Sequence, residues 1–324
     1  MKIAVTGASG HVGNNLCRML TDQGHQVKAL IHRESGSLTG LPLVLVKGDV
    51  TSITELEELC DGCEVVFHLA AAISIRKNDP ACERINADSC RNLIRAAQST
   101  AIKKIIHFSS IHAFQEDPLN EELNETRALA LGSLISYDHS KALGQRIMQE
   151  SSSGNLEIVV LNPTAIIGPF DFKPSLQGNA LIRFYKGHNP VLIPGGYNWV
   201  DVRDVCSAAI NAIECGDPGA CYLLSGSWQS IRTLAGEIQR LGGQQVPRLE
   251  VPTQIAHMAA PLINLQASIT GKPPLYTSVS LHTLSHSHRN ISSARASSVL
   301  GFRSRPFVDT LAATIAWFRD NNYL

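Results

Sequence analysis

The alternation of strand-like and helix-like segments in the first half of the chain restricts its fold more than any other feature. Six short apolar segments, from "KIAVTG" to "LEIVVLNP", are separated by helix-like segments. In "HVGNNLCRMLTDQG", for example, apolar residues recur at helical spacing before Gly24: Val12, Leu16, Met19 and Leu20. Apolar strands joined by helical crossovers form a parallel sheet with helices on both faces. The sequence therefore predicts a doubly wound α/β fold.

Composition argues against two classes of partner. The 324 residues include 28 basic and 28 acidic side chains, so no long-range field attracts nucleic acid or an anionic membrane. The chain enters a strand at once, lacks the layout of a secretory signal, and has no apolar run close to the ~20 residues of a membrane-spanning helix. We therefore expect a cytoplasmic protein with no nucleic-acid or membrane partner.

Two motifs have the residue types of redox or metal sites without the surroundings that such sites need. Cys60 and Cys63 form C-x-x-C where a helix ends, away from a helix N-terminus that would stabilise a thiolate, so we interpret them as packing residues. No acidic residue or cysteine clusters near the histidines of "HTLSHSH", which are His282, His286 and His288. We predict a loop or helix end there, and no metal site.

A glycine-rich turn follows the first strand. "VTGASGHVG" places Gly7, Gly10 and Gly13 between that strand and the first helix. Glycine at such a turn lets backbone N–H groups approach a pyrophosphate at the positive end of the helix. Tight turns also select glycine, but this position before an amphipathic helix favours phosphate binding.

The chain also resembles the extended short-chain dehydrogenases/reductases of the NAD-dependent epimerase/dehydratase family. Its motifs follow the family order: "TGASGHVG", "GDV" at 48–50, "HLAAA" at 68–72, "FSS" at 108–110 and "YDHSK" at 137–141. The similarity continues to the C-terminal "ISSARASSVLGFRSRPFVDTLAATIAWF" and is closest in character to dihydroflavonol reductase-like bacterial oxidoreductases. It implies a doubly wound parallel (Rossmann) sheet with a smaller, mostly helical substrate domain, commonly assembled as a homodimer.

The division of the chain follows from a change in composition. Proline and glycine recur after Pro163, which indicates excursions from the sheet. We expect residues 1–165, joined by about 200–228, to form the Rossmann domain, and residues 166–199 and 229–324 to form the substrate-binding region. The last helix of that region can pack back on the Rossmann domain. The apolar segment "TQIAHMAAPLINLQASITG" is predicted to be a helical lid or packing element rather than a membrane anchor.

The resemblance implies a nicotinamide dinucleotide at the carboxyl edge of the sheet. Asp49 would accept the adenine amino group, and Asn86 would order the loops around the cofactor. The full set of implied binding residues is Gly7, Ser9, Gly10, His11, Val12, Gly13, His32, Arg33, Asp49, Val50, Leu69, Ala70, Ala71, Asn86, Tyr137, Lys141, Pro163, Thr164 and Ala165.

The end of the second strand predicts which nicotinamide cofactor is used. An acidic residue there selects NAD through the ribose 2′-OH, whereas positive residues accept the 2′-phosphate of NADP. This chain has Ile31 where NAD-using relatives typically carry the acid, followed by His32 and Arg33. NADP(H) is therefore favoured, and NAD(H) is possible.

Three residues are assigned to the chemistry. Tyr137 and Lys141 are four residues apart on a helix, so both head groups can converge on one ligand. An ammonium group nearby lowers the pKa of a tyrosine from its usual value near 10. In the family, the tyrosine gives its proton to a carbonyl oxygen, the lysine holds the ribose, and a serine polarises the carbonyl. The resemblance assigns the serine to Ser110, with Ser109 as the alternative.

Three functions compete. The first is an NAD(P)-dependent carbonyl reductase or alcohol dehydrogenase of EC 1.1.1 type. The second is a nucleotide-sugar epimerase or dehydratase that retains NAD, and the third is a non-catalytic NAD(P)-sensing protein. Sugar-nucleotide enzymes typically have arginine where this chain has Asn198, and dehydratases have an acid pair where it has Ile111 and His112. A sensor does not need the three catalytic side chains, so the reductase is preferred.

A pocket for a small carbonyl or alcohol substrate is expected from four segments: 72–76, 111–116, 165–182 and 255–270. Their larger side chains favour an apolar or aromatic carbonyl, although core packing explains each of them as well: Phe114, Phe170, Phe172, Leu181 and Met258.

Overall fold

The computed structural model describes residues 1–32, 36–74, 77–256, 258 and 278–324. Seven strands form the main sheet: β1 Lys2–Thr6, β2 Gln26–Ile31, β3 Leu43–Lys47, β4 Val65–His68, β5 Lys104–Phe108, β6 Glu157–Pro163 and β9 Cys221–Leu224. All neighbours in this sheet are parallel, in the order β3-β2-β1-β4-β5-β6-β9. The predicted doubly wound sheet is confirmed. Its strand order reverses between β1 and β4, where ligands bind in such folds.

Helices cover both faces of this sheet. The described residues include the helices α1 His11–Asp22, α2 Ile53–Cys60, α3 Pro80–Glu83, α4 Ser89–Gln98, α5 Ser136–Ser151, α6 Leu176–Tyr185, α7 Val202–Cys215, α8 Ile231–Arg240, α9 Ser278–His286, α10 Ala294–Leu300 and α11 Phe307–Asp320. Four of them, α6, α8, α9 and α11, pack in a separate third core rather than on this sheet. On one face, α1 and α7 bury Leu16 and Val205 in one apolar core. On the other, α2, α4 and α5 bury Leu56, Leu93 and Met148 in a second.

A π-helical turn interrupts the helix that precedes β5. The turn Arg84–Asp88 connects α3 to α4, so the chain is helical throughout 80–98. It presents its backbone to α5 at close range, because a Cβ on Gly144 would overlap the carbonyl oxygen of Asn86. Turns of this type are often found at functional sites. Here the turn sets how closely α5 approaches the carboxyl edge of the sheet.

A second, three-stranded sheet is built from the chain after Pro163. It contains β7 Ala165–Ile167, β8 Gly196–Asp201 and β10 Ser227–Ser230, in the order β10-β8-β7. β8 runs antiparallel to β10 and parallel to β7. The strand that contains Trp199 thus belongs to this smaller sheet, and α7 begins directly after it at Val202.

Cysteines and apolar helices give two further findings. The eight cysteines are free thiols, and Cys60 and Cys63 are buried. Burial raises the pKa of Cys60 to about 12 and also raises the pKa of Cys63, which supports their packing role.

Across the described part of the chain, no helix combines the length and hydrophobicity that crossing a bilayer requires. The predicted helix in 253–271 lies mostly outside the described residues.

Candidate active site

The glycine turn packs directly against the loop that follows β4. Gly7 has φ +67°, and a Cβ there would meet the backbone of Leu69 and Ala70 at 2.7 Å. A Cβ on Gly13 would overlap the carbonyl oxygen of Gly7. Both positions therefore require glycine for the protein's own packing, whether or not a ligand binds.

Gly10 is different, because protein packing does not exclude a side chain there. A Cβ on Gly10 would meet only the Gly7 carbonyl oxygen, at 3.3 Å, and the residue is exposed at the start of α1. No side chain caps α1, and its first turn contains no acidic residue. The unpaired N–H groups at such a helix end bind phosphate. This cradle fits the pyrophosphate of a dinucleotide.

The neighbouring loop is ordered by buried polar side chains. The hydroxyl oxygen of Thr6 accepts hydrogen bonds from the N–H groups of Leu69 and Ala70, each at 3.2 Å. Asn86, in the π-helical turn, accepts from the N–H of Ala72 at 2.8 Å and donates to its carbonyl oxygen at 2.9 Å. It also donates to the Ser140 hydroxyl of α5. Asn86 thus has the contacts of a loop-ordering residue; contact with cofactor stays a prediction.

His32 and Asp49 lie together at the far end of the cradle. His32 Nε2 is 3.4 Å from Asp49 Oδ2, and the two side chains are 61% and 43% exposed. Hydrogen bonds from the backbone and hydroxyl of Thr51 lower the pKa of Asp49, and the charge of His32 contributes. The imidazole is therefore accessible to a ligand beside the end of β2. Val50 is buried in the core, and Arg33 lies outside the described residues.

The three predicted catalytic side chains meet at the carboxyl end of β5. Ser110 follows this strand, and its hydroxyl hydrogen-bonds to the side chain of Tyr137 in the first turn of α5. One turn further along α5, Lys141 is buried, and its Nζ donates to the carbonyl oxygen of Phe108 at 2.9 Å. Ser109 has a buried hydroxyl with no partner among the described residues. The contact with Tyr137 therefore favours Ser110 over Ser109.

The ionisation of these groups differs from the expectation. Burial raises the pKa of Tyr137 to about 12, and the hydrogen bond from Ser110 only partly opposes this. The pKa of Tyr137 therefore lies above its usual value near 10, whereas the sequence predicted a lowered pKa. Burial also lowers the pKa of Lys141, to about 8. Tyr137 therefore retains its proton at neutral pH and can act as an acid.

Asn162 and Asn198 have structural partners at the two positions where the family commonly has arginine. Asn162 donates to the carbonyl oxygen of Ser110 at 2.9 Å and to Gln145 of α5 at 2.6 Å. The side-chain oxygen of Asn198 accepts from Gly226 N–H at 2.8 Å and from Ser225 at 3.1 Å. Both amides are uncharged, so neither can neutralise a diphosphate.

The segment after β6 begins where the sequence predicted. Pro163 is the last residue of β6, and the N–H of Thr164 donates to the carbonyl oxygen of Leu224 at 3.2 Å. Ala165 begins β7, and His11 Nε2 of α1 lies 3.1 Å from the carbonyl oxygen of Pro169. This segment thus crosses the carboxyl edge towards the glycine turn.

Two of the five side chains predicted to line an apolar pocket lie in hydrophobic cores instead. Phe114 and Leu181 are buried in two hydrophobic cores, with 2% and 0% exposure. Phe170 and Phe172 pack with Trp317 of α11, and the Arg18 guanidinium lies 4.6 Å from the Phe170 ring centre. Met258 is 81% exposed, and most of 257–277 lies outside the described residues, as do residues 75 and 76.

A group of titratable side chains beside Tyr137 was not predicted. His112 Nδ1 lies 3.3 Å from Asp138 Oδ1, and the His112 and Tyr137 rings meet edge-on with centres 5.6 Å apart. Glu116 pairs with His282 of α9 at 3.5 Å. The expectation that no acidic residue clusters near the histidines of "HTLSHSH" is therefore wrong. Glu116 comes from a distant part of the chain, so no local sequence signal could have revealed it.

A buried histidine–cysteine cluster lies beneath the site, but its surroundings fit a cation poorly. Potential ligand atoms of His68, Cys90 and His107 lie within 4.8 Å of one another. Both nitrogens of His68 already have hydroxyl partners, Thr6 and Ser89. Burial raises the pKa of Cys90 to about 12, which favours the neutral thiol over the thiolate that binds metals.

Comparison with known proteins gives a consistent result. A model of the NAD dependent epimerase/dehydratase family matches residues 3–224. Sterol demethylase protein B of Methylococcus capsulatus is 29% identical over 331 residues, covering 100% of both chains. A putative dihydroflavonol 4-reductase of Synechocystis is 28% identical over 330 residues, covering 99% of this chain and 95% of the relative. The structure of a nucleoside-diphosphate-sugar epimerase from Pseudomonas aeruginosa superimposes with a TM-score of 0.82 at 21% identity, covering 100% of this chain and 99% of that one.

Proposed function

Because the chain belongs to the NAD dependent epimerase/dehydratase family, we propose that it is an NAD(P)-dependent oxidoreductase of EC 1.1.1 type that reduces an aldehyde or ketone to an alcohol. One observation carries this proposal. At the carboxyl end of β5, a protonated tyrosine hydrogen-bonds to Ser110. One helical turn away Lys141 is buried, and among the described residues its hydrogen-bond partner is the carbonyl oxygen of Phe108. Such a constellation suits proton donation to an oxygen.

The residues of the glycine turn, the loop after β4 and the segment after β6 would hold the dinucleotide. When bound, the reduced nicotinamide supplies a hydride to the carbonyl carbon. Ser110 polarises the carbonyl oxygen through its hydroxyl, and Tyr137 gives that oxygen the phenolic proton. Lys141, one turn along α5, would donate hydrogen bonds to the ribose in place of its hydrogen bond to Phe108.

The high pKa of Tyr137 suits the reductive direction. A phenol with a pKa of about 12 is almost fully protonated at neutral pH, so Tyr137 carries its proton before the reaction begins. In the oxidative direction the phenolate has to act as a base, and this form is scarce below pH 12. The protonated phenol that reduction requires is thus the form present at neutral pH.

The reductase is preferred to a sugar-nucleotide epimerase because this chain has an uncharged residue at a position where the family commonly has arginine. An epimerase needs cations for a diphosphate. Asn198 stands where the family commonly has arginine, and it bonds to Gly226 and Ser225 instead. The similarity to an epimerase structure at 21% identity supports the fold alone. A relative named dihydroflavonol 4-reductase, at 28% identity, favours carbonyl reduction.

NADP(H) is the proposed cofactor, with NAD(H) as the alternative. β2 ends at Ile31 without an acidic residue, and the exposed imidazole of His32 is next. A protonated His32 would attract the 2′-phosphate of NADP. The end of β2 has no carboxylate to accept a hydrogen bond from the ribose 2′-OH of NAD.

The test is a cofactor assay with purified protein. NADPH or NADH is incubated with a panel of aldehydes, ketones and diketones, and the absorbance of the reduced cofactor is followed. Carbonyl-dependent oxidation, faster with NADPH, supports the proposal. Interconversion of a sugar nucleotide at constant absorbance would support the epimerase instead. Tight cofactor binding without either reaction would support a sensing role.

A further inference from the structure

The histidines of "HTLSHSH" have an acidic partner that the sequence did not reveal. His282 Nε2 lies 3.5 Å from Glu116 Oε2, and His286 belongs to the same helix as His282, α9. The prediction of no metal site in this segment depended on the lack of an acidic residue or cysteine nearby. With Glu116 in place, that reason against a metal ion no longer holds.

The two histidines lie on one face of α9. They are four residues apart, which is about one helical turn, and their rings stack with centres 4.2 Å apart. Leu281 and Leu284 of the same helix are buried in the third core. The His282 side chain is 43% exposed, and His286 is also partly exposed. A metal ion can therefore reach this pair from solvent.

A backbone hydrogen bond fixes the tautomer of His286. Its Nδ1 lies 3.2 Å from the carbonyl oxygen of His282 and 2.9 Å from the Ser285 hydroxyl. A carbonyl oxygen only accepts hydrogen bonds, so this contact requires the proton on Nδ1, and Nε2 of the neutral ring keeps its lone pair. Metal-binding histidines are commonly held in this way, with a backbone carbonyl on the nitrogen that does not face the metal.

Glu116 adds a partly buried carboxylate, whose side chain is 28% exposed. Burial raises the pKa of Glu116, and the charges of His112 and His286 act against this increase. The effect of His286 places the second histidine of α9 near the carboxylate as well. Because burial leaves the charge of the carboxylate incompletely compensated, a bound cation would stabilise it.

We propose that Glu116, His282 and His286 bind a divalent transition-metal ion, and that Zn²⁺ is the ion that two imidazoles and one carboxylate suit best. Ligand atoms of one Zn²⁺ ion lie about 3–4 Å apart, because each is about 2.0–2.2 Å from the metal. The separation of 3.5 Å between Glu116 and His282, and of 4.2 Å between the two ring centres, is on this scale. Rotation of the side chains would direct the three ligand atoms at one ion.

A metal ion at this position would join two parts of the protein. Glu116 follows the 3₁₀ turn Ile111–Ala113 after β5, whereas the two histidines belong to α9, in the region predicted to bind substrate. His112 of that turn lies against Tyr137, with ring centres 5.6 Å apart. The ion would therefore hold α9 against the loop beside the candidate active site, and its binding would stabilise the folded protein.

The first test measures metal affinity directly. Untagged protein is freed of metal with a chelator, dialysed, and titrated with Zn²⁺ by calorimetry, without substrate or cofactor. We expect one site per chain with a dissociation constant of about 1 μM or lower, and no binding of Mg²⁺, which prefers oxygen ligands. Co²⁺ should occupy the same site and absorb visible light strongly, as tetrahedral Co²⁺ does. Absence of a Zn²⁺ site with micromolar affinity would overturn the proposal.

Two variants identify the ligands. Glu116→Gln keeps the size of the side chain and removes its charge, and His286→Phe keeps an aromatic ring for stacking and removes the lone pair. Each should weaken Zn²⁺ binding at least about tenfold and reduce the Co²⁺ absorption. His188→Phe is the matched control, because it removes an exposed histidine outside α9 and should bind Zn²⁺ as the wild type does. Wild-type affinity in either ligand variant would show that the three residues do not form the site.

The second test measures the stabilisation by the ion. The midpoint of thermal unfolding should increase with Zn²⁺ concentration in the wild type and in His188→Phe, and should increase much less in Glu116→Gln and His286→Phe. An equal increase in all four proteins would contradict the assignment of the ligands. Should one ligand variant fail to fold, the other decides. Neither measurement needs turnover, so the metal site is tested separately from carbonyl reduction.

Discussion

A buried lysine lies at each end of strand β5, and the two ammonium groups differ in their hydrogen-bond and ion-pair partners. At the amino end, Lys104 Nζ donates to the carbonyl oxygens of Ile213 and Gly216 at 2.9 and 3.1 Å and lies 3.1 Å from Glu157. At the carboxyl end, Lys141 Nζ has one hydrogen bond within the described part of the chain, to the carbonyl oxygen of Phe108. The partners of Lys104 compensate for the burial of its charge, as is usual for a structural cation. Burial of the Lys141 charge is compensated less and therefore lowers the stability of the fold.

Buried polar atoms without hydrogen-bond partners also distinguish the carboxyl end of β5 from its amino end. Eight buried side-chain atoms have no hydrogen-bond partner among the described residues, and five of them lie around the carboxyl ends of β5 and β6: His107 Nδ1 and Nε2, Ser109 Oγ, Gln145 Nε2 and Asn162 Oδ1. The other three belong to Trp199 and His288. Buried polar groups are almost always paired in folded proteins. Such a cluster at one end of the sheet indicates that this end is built for a ligand, and the other for stability.

Lys141→Met should separate activity from stability most clearly. We expect kcat to fall about 10²- to 10³-fold, because an ammonium that positions ligand and tyrosine is lost. The unfolding free energy at pH 7 should rise by about 1–3 kcal/mol, since burial depresses the pKa of Lys141 from 10.5 to about 8. Steady-state kinetics and urea unfolding measure the two effects.

The pH dependence provides a control for this variant. Between pH 8 and 10.5 the unfolded chain binds a proton at Lys141 that the folded protein has lost, so wild-type stability gains from this residue as pH increases. The stability advantage of Lys141→Met should therefore shrink across that interval. An advantage that is constant with pH would contradict a burial cost at Lys141.

Gly144→Ala tests how closely α5 must approach the carboxyl end. The new Cβ overlaps the carbonyl oxygen of Asn86 in the π-helical turn, so we expect a loss of about 3 kcal/mol in unfolding free energy. Gly236→Ala is the matched control, because no heavy atom lies within 4 Å of its Cβ in α8. The control should gain about 0.5–1 kcal/mol. Equal effects in thermal unfolding would contradict the close packing.

Lys104→Met should have the opposite pattern to Lys141→Met. The carbonyl oxygens of Ile213 and Gly216 lose their donor, and we expect unfolding free energy to fall by about 2 kcal/mol. The kcat of the folded enzyme should stay within about twofold of wild type. Urea unfolding and active-site titration measure these values. A large loss of kcat would erase the contrast between the two ends of β5.

Asn162→Ala should have the smallest effect at the carboxyl end. The variant removes the donor to the Ser110 carbonyl and to Gln145, so the serine is less firmly positioned. We expect kcat/KM to fall about tenfold. Asn92→Ala removes a comparable side-chain hydrogen bond at an exposed position, to the Thr51 carbonyl, and should leave kcat/KM unchanged. Equal losses in the two variants would point to a general destabilisation.

Local patterns in the sequence predicted the fold and the composition of the site. The glycine turn, the strand that ends before Ser110, and the Tyr137–Lys141 spacing are all features of consecutive residues, and the structure brings them together. The contact of Lys141 with Phe108 and the pairing of Glu116 with His282 join distant segments, so no local pattern reports them. Apolar character alone could not tell whether Phe114 lines a pocket or a core.

The central claim is that the phenol of Tyr137 is the acid of a nicotinamide-dependent carbonyl reduction. Its most direct test is single-turnover oxidation of bound NADPH by an active carbonyl, in wild type and Tyr137→Phe, with cofactor affinity measured by fluorescence. The account predicts unchanged NADPH affinity and a rate at least about 10³-fold lower in the variant. A variant that binds NADPH and oxidises it at the wild-type rate would contradict the account.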